Sequence, residues 1–160
     1  MTNRNIVQAD ALAVAIKNKR CGLGISMGVG KTRIAIQHLQ KHFNSLIEVL
    51  VVIPKHSVAQ SWIDELDKMN LKNLVKHITF TTYLSLKKKN PNDYDIVYLD
   101  ECHSLKDSHE IFLGPYSGKI LGLTGTPPKH KNSEKGILVQ KYCPIKYEFS
   151  VDDATDSNIL

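Results

Sequence analysis

The chain has 160 residues, 42% of them hydrophobic and 23% charged, with a formal net charge of +5. That composition suits one folded domain with its own apolar core, and it excludes a disordered or collagen-like chain and one held together by disulfides. No apolar run approaches the ~18 residues that a membrane-crossing helix needs.

Val7, Ala11, Leu12, Ala15 and Ile16 recur at helical spacing and predict a first helix over residues 7–19. The apolar run Cys21 to Met27 predicts a buried strand. It leads into Gly28-Val29-Gly30-Lys31-Thr32, and a helical pattern then runs from Arg33 to about Phe43. Leu46 to Ile53 predicts a second strand, closed by Pro54, which cannot continue a ladder. Ser57 is expected to cap the next helix, whose apolar positions are Val58, Trp62, Leu66 and Met69. His77 to Tyr83, rich in β-branched and aromatic residues, predicts a third strand. Asp95 to Leu99 and Ile120 to Leu123 predict a fourth and a fifth, and Ile145 to Phe149 a short edge strand. Residues 90–93 and 114–118 carry turn chemistry. Strands alternating with helices predict a three-layer α/β domain, its mostly parallel sheet covered on both faces.

The chemistry gathers where strands end. A strand, a glycine loop and a helix form the context in which backbone N–H groups and a helix N-terminus cradle polyphosphate. Within it Gly28 and Gly30 let the backbone approach, Lys31 can reach β and γ phosphates, and Thr32 can ligate Mg2+. The strict six-residue spacing of such loops would put glycine at position 25, where this chain has Ile25, with Gly24 beside it. Asp100 and Glu101 follow a buried run, so a parallel sheet would deliver them to its carboxyl edge, where ligands bind in open α/β folds. There Asp100 would hold Mg2+, and Glu101 would orient and deprotonate water. His103 belongs to the same Asp-Glu-Cys-His block and is expected to hydrogen-bond toward Thr124 or Thr126. Trp62 fits a helix-face core position better than a base-stacking platform, and Tyr83 stays open between the two. The lysines at 87–89 and from Lys129 to Lys135 fit either solvated loops or an anionic partner. The three cysteines, Cys21, Cys102 and Cys143, form no CxxC pair and predict reduced thiols in an intracellular protein, without zinc. The start of the chain has no signal-peptide pattern.

In combination and order, these blocks resemble the first RecA-like ATPase domain of superfamily 2 helicases and translocases, in particular its Swi/Snf-like branch. Residues 23–32 are similar to that family's motif I, which in this branch also lacks the early glycine. Residues 51–57 resemble motif Ia, residues 80–83 motif Ib, residues 99–106 the DEAH-like box of motif II, and residues 121–127 motif III. Cys102 stands where alanine is usual. The resemblance implies ATP and Mg2+ as cofactors, with Met27, Gly28, Val29, Gly30, Lys31, Thr32 and Arg33 around the phosphates and Gln8 against the adenine. It implies coupling roles for His103, Thr124 and Thr126. Pro54, Lys55, Thr81 and Thr82 would line a nucleic-acid track, with DNA favoured over RNA.

It also implies a second RecA-like lobe that supplies arginines to the transferring phosphate. This chain has only Arg4, Arg20 and Arg33, and too few residues after Thr126 for such a lobe. The expected organisation is therefore an ATP-binding lobe over 1–149 and, over 150–160, an acidic stretch that starts a linker toward the absent lobe. Two alternatives stay open: a non-catalytic nucleic-acid or partner-binding module, and a P-loop kinase.

Overall fold

The computed structural model describes residues 4–26 and 29–150. Six strands form one sheet: β1 (Arg20–Ile25), β2 (Val49–Ile53), β3 (Ile78–Thr82), β4 (Ile96–Asp100), β5 (Lys119–Thr124) and β6 (Ile145–Phe149). They lie in the order β3-β2-β4-β5-β1-β6, and every pairing is parallel. Among the described residues five α-helices accompany them: α1 (Arg4–Lys17), α2 (Lys31–His42), α3 (Ser57–Lys68), α4 (Glu110–Leu113) and α5 (Glu134–Tyr142).

Strand alternation sorts the core into two layers. Val49, Val51, Ile53, Ile96, Tyr98, Leu121 and Leu123 face α1, α2 and α3, where Val7, Ile34, Leu39, Trp62 and Leu66 meet them. Leu50, Val52, Val97, Leu99 and Ile120 face the other way, toward Phe112, Leu113, Leu138 and Tyr142 of α4 and α5. β2 and β4 are buried at every position, as expected of strands covered on both faces.

Two expectations change. Ser57 is the first residue of α3 and does not cap it; His56 takes that place, and no side chain closes the turn. α5 carries no strict apolar period, and the lysine-rich approach to it reads as loop. Its start is nevertheless marked by Ser133, whose Oγ accepts the Gly136 N–H at 3.1 Å.

The topology opens a crevice. β1 runs by way of α2, on one face, to β2, whereas β5 leads by way of α5, on the opposite face, to β6. The loops leaving the carboxyl ends of these neighbouring strands therefore part, which is where open α/β sheets bind ligands.

Candidate active site

Lys31 is the first residue of α2 and Asp100 the last of β4. The Lys31 ammonium rests against the Glu101 carboxylate and lies 4.0 Å from Asp100 Oδ1. Asp100 is 3% exposed. Trp62 Nε1–H donates to its Oδ2 at 2.9 Å, and its Oδ1 is a buried acceptor with no hydrogen-bond partner. Burial holds the Asp100 carboxyl above its ordinary range, against the Trp62 hydrogen bond and the Lys31 charge, which pull it down.

A buried carboxylate oxygen left unserved calls for an explanation, and a hard divalent cation supplies one. Thr32, half-buried on the first turn of α2 beside Lys31, carries a hydroxyl that can serve the same cation. Among the described residues no cluster of three or more His, Cys, Asp or Glu could hold a metal by itself. That donor set fits Mg2+, which keeps waters and substrate phosphates in its shell and takes few protein ligands.

Glu101 has φ 55° and ψ 55°. A left-handed residue other than glycine costs about 1–2 kcal/mol, and here it turns the chain out of β4 so that Glu101 meets both Lys31 and His103. The His103 Nδ1 pairs with Thr124 Oγ1 at 2.7 Å and Thr126 Oγ1 at 3.2 Å, with Glu101 Oε2 at 3.5 Å. Thr124 Oγ1 also accepts the Thr126 N–H at 3.0 Å, which ties the loop after β5 to the turn after β4. Burial lowers the His103 pKa, and the Glu101 charge partly restores it.

The glycine loop before α2 is held from α1. Gln8 Nε2–H donates to the Val29 carbonyl at 2.7 Å, so this amide, 7% exposed, is committed to the loop. Gly30 has φ +93°, and a Cβ there would stand 2.6 Å from Gln8 Nε2. Gly24 has a different use: a Cβ would meet the Pro127 side chain at 2.7 Å, so this glycine admits the loop after β5. Arg33 pairs with Glu65 of α3 at 3.1 Å. A cavity of about 650 Å3 opens beside these groups, lined by Asn5, Gln8, Gly30, Lys31, Thr32 and Arg33 among others. Met27 and Gly28 lie outside the described residues, as do residues 151–160 of the expected linker.

At the ends of β2 and β3, Pro54 and Lys55 are exposed and Thr82 is half-buried, its Oγ1 accepting the Ser85 N–H. Thr81 departs from expectation. It is 3% exposed, because alternation along β3 turns it inward, so its side chain is closed to a nucleic-acid strand.

Three residues acquire connections that sequence reasoning missed. Trp62 is a core residue, as its spacing predicts, but its indole N–H also serves Asp100. The need of a buried indole for an acceptor was the available signal. Tyr83 is 7% exposed, which removes the stacking alternative, and its hydroxyl donates to the Asp100 carbonyl at 2.6 Å. His109 bonds the Tyr83 carbonyl through Nε2 at 3.0 Å and accepts the Lys106 N–H on Nδ1 at 2.9 Å. Nothing in its local sequence marks it.

A family model described as type III restriction enzyme, res subunit, matches residues 3–129. The chain is 33% identical over 132 residues to an African swine fever virus protein named as a candidate ATP-dependent RNA helicase. That match takes in 66% of this chain and 24% of the viral protein. It is 28% identical over 167 residues to the DNA 3'-5' translocase XPB2 of Sulfurisphaera tokodaii, over 91% of this chain and 36% of that one. The chain thus spans about a quarter to a third of the length of these relatives. The SWI2/SNF2 ATPase core of Sulfolobus solfataricus, solved in complex with double-stranded DNA, superposes with a TM-score of 0.62 at 20% identity. The superposition covers 86% of this chain and 35% of that one, and shows a shared fold.

Proposed function

The chain belongs to the type III restriction enzyme res-subunit family, with the N-terminal RecA-like fold of superfamily 2 helicases, and on that premise we propose that it is the ATP-binding motor lobe of a nucleic-acid translocase. The observation that carries this reading is the placement of Lys31 between the Asp100 and Glu101 carboxylates at the mouth of an open cavity. An ammonium held by two carboxylates can be transferred to phosphate oxygens without leaving a buried charge uncompensated, provided a cation joins the carboxylates in exchange.

In this reading Thr32 and Asp100 would hold Mg2+, for which Asp100 Oδ1 offers an acceptor without a hydrogen-bond partner. The bound Mg2+ would neutralise charge on the β and γ phosphates. Lys31 leaves Glu101 for the phosphates, and Glu101 is then free to orient and deprotonate the attacking water. Val29 and Gly30 would border the polyphosphate, together with Met27 and Gly28 from outside the described residues, while Gln8 and Arg33 would border the base side. His103, Thr124 and Thr126 transmit the state of Glu101 to the loop after β5. Pro54, Lys55 and Thr82 contact phosphates of a nucleic-acid strand, with DNA favoured over RNA.

Residues 1–149 make up the lobe and 150–160 begin a linker to a second RecA-like lobe. Arg20 is engaged with the Tyr116 and Gly118 carbonyls and Arg33 with Glu65, and in this reading that second lobe supplies the transition-state arginine. An arginine finger is worth on the order of 10³–10⁵ in rate. Residues 1–160 alone therefore bind Mg-nucleotide and turn it over very slowly. Calorimetry with Mg-ADP on the wild type and on Lys31→Ala tests the site, and unchanged binding in the variant would refute it. Hydrolysis assays with and without DNA or RNA test the rest; nucleic-acid-stimulated turnover at ordinary helicase rates by this chain alone would refute the two-lobe reading.

A further inference from the structure

Farther along the same edge of the sheet a second cavity, of about 430 Å3, opens between Pro54 after β2, Tyr83 and Leu84 after β3, and the turns after β4. Lys87, Lys106 and Lys135 line it from three separate segments, together with the Ser104 and Ser108 hydroxyls, and no carboxylate does. Among the described residues none of the three ammonium groups is in an ion pair. Three like charges around one cavity repel one another, and a shared anion converts that repulsion into attraction.

The floor is built, not incidental. His109, 8% exposed, accepts the Lys106 N–H on Nδ1 and donates from Nε2 to the Tyr83 carbonyl, which fixes its tautomer. This holds Lys106, on the turn after β4, against the segment that leads to Lys87.

We propose that this cavity binds a backbone phosphate of the nucleic-acid strand, as a contact additional to Pro54, Lys55 and Thr82. The inference rests on the nucleic-acid reading above. Two observations favour a strand over a free anion. The cavity shares Pro54 with the proposed track, so a strand lying there continues into it. Leu84, 84% exposed at the rim, offers an apolar surface that a base covers and an inorganic anion leaves in water.

The test uses the whole chain and a single-stranded oligodeoxythymidine 12-mer. The triple variant Lys87→Ala/Lys106→Ala/Lys135→Ala is compared with Lys17→Ala/Lys41→Ala/Lys76→Ala, an equal charge loss at the opposite edge of the sheet, where α1, α2 and the turn before β3 end. Each single-strand phosphate contact contributes ~0.7 to the slope of log affinity against log salt. The cavity variant should therefore lose about 0.7 units of slope, the share of one phosphate, and bind on the order of 10-fold more weakly at 50 mM salt, and the control variant should lose far less. In the wild type, amide resonances of Ser104, Lys106 and Ser108 should shift on titration with the 12-mer.

If the 12-mer binds but the two variants match and those amides stay put, the cavity is refuted while the nucleic-acid reading survives. If the wild type does not bind the 12-mer at low salt, both fall. Inorganic phosphate producing the same shifts at the same affinity as the 12-mer would overturn the strand assignment in favour of a small anion.

Discussion

Trp62→Phe probes the support of the buried carboxylate. The indole N–H donates at 2.9 Å to Asp100 Oδ2, whose partner oxygen is already unserved, and the Trp62 ring lies 5.8 Å from that of Tyr98 in the same core layer. Phenylalanine keeps the packing of one ring and removes the one side-chain hydrogen bond that Asp100 receives among the described residues. A hydrogen bond to a charged group is worth about 1.5–3 kcal/mol, and the space left by the missing ring adds on the order of 1 kcal/mol. For a domain of this size each kcal/mol moves the melting temperature by about 2–4 °C, so a drop of roughly 5–16 °C follows. The hydrogen bond is isolated by a double-mutant cycle with Asp100→Ala, followed by urea unfolding. A coupling of ~1.5–3 kcal/mol is expected, and coupling below about 0.5 kcal/mol would refute the claim that this bond supports Asp100. The function should respond as well. The Trp62 hydrogen bond is the largest influence holding the Asp100 carboxyl down, so removing it raises that pKa further. Mg-nucleotide affinity in Trp62→Phe should then fall more at pH 6 than at pH 8.

Other expectations can be checked alongside. Burial takes His38 from 6.5 down to about 3, with the His42 and Lys119 charges adding to the effect. The unfolded chain therefore binds more protons between those values, and stability is lost as pH falls below 6.5 toward about 3. His38→Gln should flatten that loss, by up to about 1.4 kcal/mol per pH unit in a urea series; an unchanged slope would count against it. Gly30→Ala should lose about 1–2 kcal/mol from its left-handed backbone alone, more from the contact with Gln8, and most Mg-ADP affinity with it. Near wild-type calorimetry would contradict this. Tyr83→Phe should cost about 1–2 kcal/mol by leaving the Asp100 carbonyl without its hydroxyl donor, and a urea midpoint equal to wild type would show that another donor takes over. Glu101→Gln should leave Mg-ADP affinity of residues 1–160 within about threefold, as expected for a group that acts on water and not on the bound phosphates; a large loss would assign it to nucleotide binding.

Local patterning carried the strands and the three long helices, because alternation and helical spacing follow from backbone geometry and need no knowledge of neighbours. Val49 to Ile53 and Ile96 to Asp100 are apolar nearly throughout because both faces of the sheet are covered, and that much can be read without a structure. The parallel layering followed from the same alternation of element types. Strand order did not, since nothing within β6 says that it pairs with β1 and not with β3. α5 was missed because its apolar residues are spread around the helix, and only its cap at Ser133 is a local signal.

The candidate site divides in the same way. Lys31, Asp100, Glu101 and His103 stand out in the sequence because they fall in two blocks, one at the start of a helical pattern after glycines and one directly after an apolar strand. Their mutual arrangement is tertiary: the Lys31 ammonium against Glu101, the unserved Asp100 Oδ1 and the Thr124–His103 bond depend on β1, β4 and β5 lying side by side. Thr81 and Thr82 show the limit, since adjacent threonines with the same local propensity are separated only by which face of β3 is covered. Trp62, Tyr83 and His109 go further still. The bonds from Trp62 and Tyr83 to Asp100, and from His109 to Tyr83, join residues 17 to 38 apart in sequence. A polar group on a buried side chain must find a partner, and composition can state that requirement, but only the packed fold chooses which atom meets it.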